Sequence, residues 1–148
     1  MTPPRVWQHL TDMARSKRDQ SAHKLRTAVS KRGEAERKLA TLVGYRRDYL
    51  AKLEAATRAG IKADGLANYR AFIANLDRAI EQQEAVLASM HTDVGFAQTD
   101  WQHTQTRVDS LDVLDKRRAQ TAAKHEARRE QKLTDEYAAR RSRGGGDD

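Results

Sequence analysis

Cysteine is absent from the 148 residues, which excludes a disulfide framework, a thiolate nucleophile and any cysteine-based metal site. The absence fits a reducing compartment. Proline is confined to Pro3 and Pro4, so nothing after residue 4 is forced to break a helix. Long apolar runs are missing as well. No stretch approaches the ~18 consecutive apolar residues of a membrane span, and the first ten residues lack an apolar signal core. A soluble cytoplasmic protein without a direct membrane span is therefore expected. Leu, Ile, Val and Phe are also scarce, at 24 of 148 residues, short of the roughly 20% that an ordinary packed globule needs.

Helix formers fill the space these residues leave. Ala, Glu, Lys, Leu and Arg supply 71 of the 148 residues, close to the ~50% profile of a long helix or coiled coil. Their placement is periodic. From Leu66 the positions Leu66, Tyr69, Ile73, Leu76, Ile80, Gln83, Leu87, Met90, Val94, Ala97, Trp101, Thr104, Val108 and Leu111 follow alternating steps of three and four, and only Gln83 and Thr104 among them are polar. A seven-residue repeat of this kind keeps one stripe facing a partner helix. The first half repeats it more weakly at Leu25, Ala28, Arg32, Ala35, Leu39, Leu42, Arg46, Tyr49, Leu53 and Ala56. Leu10 and Met13 fall in a register shifted by one residue, which predicts a stutter or loose packing between residues 14 and 24.

The periodicity breaks at Gly60-Ile61-Lys62-Ala63-Asp64-Gly65. Gly60 can take the left-handed conformation that closes a helix, and Asp64 can cap the next one. So short a connection makes the two helices antiparallel neighbours. The expected fold is all-α: a long two-helix antiparallel coiled coil, or helical hairpin, with a C-terminal helical overhang. The expected bounds are a helix over 5–58, a connection over 59–65 and a helix over 66–141, forming one hairpin over 1–143 with a disordered tail at 144–148. Positions whose numbers add to about 124 should face each other, so the second helix runs out of partner near residue 118. The apolar seam duly ends at Leu114. Residues 116–143 hold ten Lys and Arg against Glu126, Glu130, Asp135 and Glu136, whereas the whole chain nets +7. A single charged helix without a seam is marginal in water, so the overhang is either frayed or completed by a partner.

Catalysis finds little support. The glycine run at 144–146 lacks the Lys and Ser/Thr of a phosphate loop. His9, His23, His91, His103 and His125 include no i,i+4 pair, and Asp100 with His103 supplies too few ligands for a metal. Neither a catalytic residue nor a cofactor nor a metal is expected. Binding is better represented. Lys38, Leu42, Tyr45 and Tyr49 form one helical stripe, and Phe72, Leu76, Ala79 and Gln83 form another. The hairpin pairing sets Tyr45 near Ala79 and Tyr49 near residues 75–76. These stripes are either a widened core or an exposed aromatic patch for a protein partner. Lys124, Arg128, Arg129, Lys132, Arg140 and Arg141 could neutralise phosphates. Interspersed acids and a single aromatic, Tyr137, fit a protein partner of complementary charge better.

Taken together, these residues resemble the FliJ family, small coiled-coil components of the bacterial flagellar type III export apparatus. The resemblance covers nearly the whole chain. It rests on Tyr45, Tyr49 and Gly60-Ile61, then Asn68-Tyr69, Phe72-Ile73, Leu76, Ala79-Ile80 and Gln82-Gln83. Trp101 and the run Arg128-Arg129-Glu130-Gln131-Lys132 with Asp135-Glu136 complete it. It implies a non-enzymatic stalk-like subunit, similar to the central stalk of rotary ATPases. The end carrying both termini would face a hexameric ring of the flagellar export ATPase through Arg128, Gln131, Lys132, Asp135 and Glu136. The surface towards the connection would contact the cytoplasmic domain of the membrane export gate through Lys38, Leu42, Tyr45, Tyr49, Phe72, Leu76, Ala79 and Gln83. Export chaperones are further implied partners, no nucleic acid is expected, and the implied location is cytoplasmic and peripheral to the inner membrane at the flagellar base. The alternative is a basic coiled-coil module or tether for nucleic acid or an acidic protein.

Overall fold

The computed structural model describes residues 4–145. Two helices account for nearly all of them: α1, Pro4–Arg58, and α2, Ala63–Gly144. They pack against each other as an antiparallel two-helix coiled coil, and no strand occurs among the described residues. High-propensity Ala, Arg, Leu, Lys and Glu favour helix at most positions, and no interior proline opposes it.

The connection is set by backbone geometry. Gly60 has φ +88°, a conformation that costs other residues about 1–2 kcal/mol. The Ile61 amide donates to the Ala56 carbonyl at 3.1 Å and the Gly60 amide to the Thr57 carbonyl at 3.2 Å. This pair of bonds is a Schellman closure, which satisfies carbonyls that α1 would otherwise leave open. The Leu66 amide then donates to the Lys62 carbonyl at 3.0 Å, so Lys62 caps α2 and the helix starts three residues before Leu66. Asp64 is therefore not the cap. It stands in the first turn, where a carboxylate suits the positive end of the helix dipole. The side chain of Ile61 lies against Gly65, where an added Cβ would stand 2.9 Å from it. At the far end Gly144 is the last helical residue. Of the rest of the expected tail, Gly145 forms a turn and residues 146–148 lie outside the described residues.

All fourteen seam positions of α2, from Leu66 to Leu111, are buried or half-buried, as are the ten of α1 from Leu25 to Ala56. The expected stutter does not exist. Burial on α1 continues backwards without a shift through Ser21, Arg18, Ala14, Thr11 and Trp7, while Leu10 and Met13 are 37% and 45% exposed. The physical reason is chemical disguise. Small and polar side chains occupy the true seam there, and the larger hydrophobes sit beside it.

Packing separates into two compact units. In the unit Lys17–His103, Ala35, Ile73, Leu76 and Val94 are buried with two polar side chains, Ser21 and Gln83. Both polar groups are satisfied across the seam. Ser21 Oγ donates to Asp100 Oδ2 at 2.9 Å, and Gln83 Nε2 donates to the Ala35 carbonyl at 3.2 Å. Buried polar pairs of this kind fix register, because a slip would leave them unpaired. Arg46 pairs with Asp77 at the edge.

In the other unit, residues 4–16 and 104–145, Ala14, Val108 and Leu111 form a small core with Trp7 packed on it. Val108, only 2% exposed, contributes about 1.5–3 kcal/mol by leaving water. Arg15 pairs with Asp112 at 3.3 Å. After Asp112 every residue from 113 to 145 is exposed.

Candidate partner-binding surfaces

Within the Lys17–His103 unit the aromatic stripes meet. Tyr49 stacks on Phe72 with ring centroids 4.0 Å apart and planes 23° from parallel. Tyr69 meets Tyr49 edge-on at 6.2 Å, and Lys52 Nζ stands 5.3 Å from the Tyr49 centroid, within cation–π range. With Asn68 these residues line a surface groove of about 340 Å³. Tyr49 was expected near residues 75–76 and instead packs about one turn closer to the connection. A seam residue enters a hole formed by several facing residues, so its contacts spread a turn to either side of its nominal opposite.

The eight residues assigned to this surface divide by depth. Lys38, Tyr45 and Phe72 are exposed, with Tyr45 at 55% and Phe72 at 41%. Leu42, Tyr49 and Ala79 are half-buried. Leu76 and Gln83 are buried in the interhelical seam, where they hold the surface from beneath. Lys52 and Tyr69 belong to the aromatic cluster but were not assigned to the surface. Lys52 stands three residues after Tyr49, a same-face spacing on a helix, and that spacing was the available signal.

The second surface is the C-terminal segment. Arg128, Gln131, Lys132, Asp135 and Glu136 are all exposed. Polar contacts here stay within a turn: Gln131 Nε2 donates to Asp135 Oδ1 at 3.1 Å, Thr134 Oγ1 to the Glu130 carbonyl at 2.8 Å, and Arg118 Nη2 to Asp115 Oδ1 at 3.1 Å. The side-chain pairs Gln131–Asp135 and Arg118–Asp115 support a helix by only about 0.2–0.5 kcal/mol each, and the Thr134 bond to the backbone adds nothing to helix stability. The segment's positive charge and side-chain donors are thus left for solvent or a partner.

Among the described residues no group of three or more His, Cys, Asp or Glu could hold a metal ion, and no helix is long and apolar enough to cross a membrane. What the two surfaces present is exposed aromatic area on one and net positive charge on the other.

The fold defines an antiparallel two-helix coiled-coil protein. The family model described as "Flagellar FliJ protein" matches residues 7–146, and the chain belongs to the FliJ family of flagellar type III protein export components. The flagellar FliJ protein of Salmonella typhi is 30% identical over 131 residues, covering 88% of this chain and 89% of the relative. The FliJ protein of Escherichia coli K12 shows the same identity and coverage. The solved structure of a YscO-homolog candidate, CT670 from Chlamydia trachomatis, superposes with a TM-score of 0.64, covering 97% of this chain and 96% of that one. At 15% sequence identity that likeness speaks to the fold alone.

Proposed function

We propose that the chain is a non-enzymatic coupling subunit of the flagellar export motor, cytoplasmic and peripheral to the inner membrane at the flagellar base. The observation that carries this reading is that the molecule bears two unlike uncovered surfaces on different units. One is the aromatic face around Tyr45, Tyr49 and Phe72, and the other is the basic helix beyond Asp112.

The aromatic face suits the cytoplasmic domain of the export gate. Covering Tyr45 and Phe72 removes apolar area from water at about 25 cal/mol per Å², and aromatic anchors are the residue types on which interfaces concentrate their affinity. The basic helix suits the export ATPase ring, with Arg128, Gln131, Lys132, Asp135 and Glu136 towards it. A channel lined with carboxylates and polar groups would supply the contacts that this helix lacks. Hydrolysis belongs to the ATPase, and this chain biases ring assembly or couples it to gate opening. Binding of empty export chaperones completes the reading.

The Tyr45→Ala/Phe72→Ala double variant tests the gate assignment. Both side chains are already substantially exposed, so the variant keeps its helicity by circular dichroism. Its affinity for the cytoplasmic domain of the gate falls at least tenfold, about 1.4 kcal/mol. Unchanged affinity would remove the patch from the gate interface.

A further inference from the structure

The residues immediately preceding Arg18, Leu25, Arg32, Leu39, Arg46 and Leu53, one flank of the α1 seam, are Lys17, Lys24, Lys31, Lys38, Tyr45 and Lys52. Five of the chain's nine lysines thus stand in one row at seven-residue spacing, all exposed. Seven helical residues advance about 10.5 Å. On α2 the corresponding row preceding Ile73, Ile80, Leu87 and Val94 is Phe72, Ala79, Val86 and Asp93. Two grooves place the rows on the same side of the Lys17–His103 unit. One is lined by Lys24 and Lys31 together with Met90 and Asp93. The other is lined by Lys52 together with Tyr69 and Phe72.

Among the described residues these lysines have no carboxylate partner, and Lys52 stands over the Tyr49 ring. Every ion pair found among the described residues uses an arginine, and none uses a lysine of this row. The two rows also carry uncovered apolar groups, Tyr45 at 55% exposure in the first and Phe72 at 41% and Val86 at 42% in the second.

We infer that this flank is a docking track for an acidic amphipathic helix of a protein partner, laid along the hairpin with carboxylates at seven-residue spacing opposite Lys17, Lys24, Lys31, Lys38 and Lys52. The match is one of period: a helix repeats at the same interval as the lysine row, and its apolar stripe covers Tyr45, Phe72 and Val86. A uniform polyanion fits less well. Asp93 shares the groove with Lys24 and Lys31, so an evenly spaced phosphate chain or an anionic lipid surface meets like charge there. A helix can set a neutral or basic residue at that point. The inference extends the face assigned above to the export gate. It rests on that face being a binding surface.

The probe is a synthetic six-heptad peptide, long enough to run from Lys17 to Lys52, with Leu in its seam and Glu once per heptad on the flank. A charge-scrambled isomer of equal composition serves as control, and binding to the full chain is read by fluorescence anisotropy. The patterned peptide binds at least tenfold tighter than its isomer. The K17Q/K24Q/K31Q/K38Q/K52Q variant loses that tenfold, whereas K116Q/K124Q/K132Q changes affinity less than twofold. Tyr45→Ala/Phe72→Ala weakens the same complex. Should the five-site variant lose helicity, K24E/K31E takes its place. It rejects the Glu peptide and recovers binding to a peptide carrying Lys at the two facing positions. Equal binding of the isomer, equal or tighter binding of a single-stranded oligonucleotide or of phosphatidylserine vesicles, or loss of affinity only in the K116Q/K124Q/K132Q variant overturns the inference. No gate fragment enters this assay. Its failure therefore leaves the gate reading standing, and lost gate binding with intact peptide docking counts against the gate alone.

Discussion

The Lys17–His103 unit and the helix beyond Asp112 are built from the same residue types, yet they are stabilised differently. In the first, the seam residues are buried or half-buried turn after turn, and Ser21–Asp100 and Gln83–Ala35 lock register across the interface. In the second, every side chain from 113 to 145 is exposed and its hydrogen bonds reach no further than the next turn. Leu133 and Tyr137 are 65% and 69% exposed, against 8% for Ile73 and 7% for Leu76. What differs is the presence of a partner helix, since helicity in water comes mostly from packing an apolar face. One region is completed by its own chain, and the other leaves its surface uncovered.

Substitutions can break that comparison. The largest effect is expected for Ile73→Ala, which removes buried methylenes and lowers unfolding stability by about 2–4 kcal/mol in urea. Leu133→Ala should stay within about 0.5 kcal/mol, as for other surface changes. Equal effects at the two sites would mean that residues 113–145 have a packed surface. Gly60→Ala comes next, costing about 1–2 kcal/mol because φ at that position is positive; the midpoint of urea unfolding reads it directly. Asp112→Asn has a smaller effect than Gly60→Ala. It removes an exposed pair with Arg15, and a midpoint shift worth less than about 1 kcal/mol is expected.

Much of the fold was legible in the sequence, because α2 advertises its seam with Leu, Ile, Val, Met and Trp. The start of α1 does not. Thr11, Arg18 and Ser21 hold the true seam while Leu10 and Met13 stand beside it, so a reading by hydrophobicity lands one residue off. Helix α2 begins at Ala63 because the Lys62 carbonyl, which composition does not reveal, accepts the first bond. The aromatic site was legible to within a turn: Tyr45 and Phe72 are exposed as expected, and Tyr49 meets Phe72 and Tyr69. The lysine row and the seam it flanks from Leu25 to Leu53 are plain in the sequence, and the fold adds the seam's continuation to Arg18 beside Lys17.

The coupling role is tested most directly by ATP hydrolysis of the purified cognate export ATPase, titrated with the full chain and with a truncation ending at residue 115. The account predicts that the full chain stimulates hydrolysis and that the truncation, still helical by circular dichroism, does not. Equal stimulation by both, or none by either while the ATPase assembles normally, would contradict the placement of the basic helix in the ring.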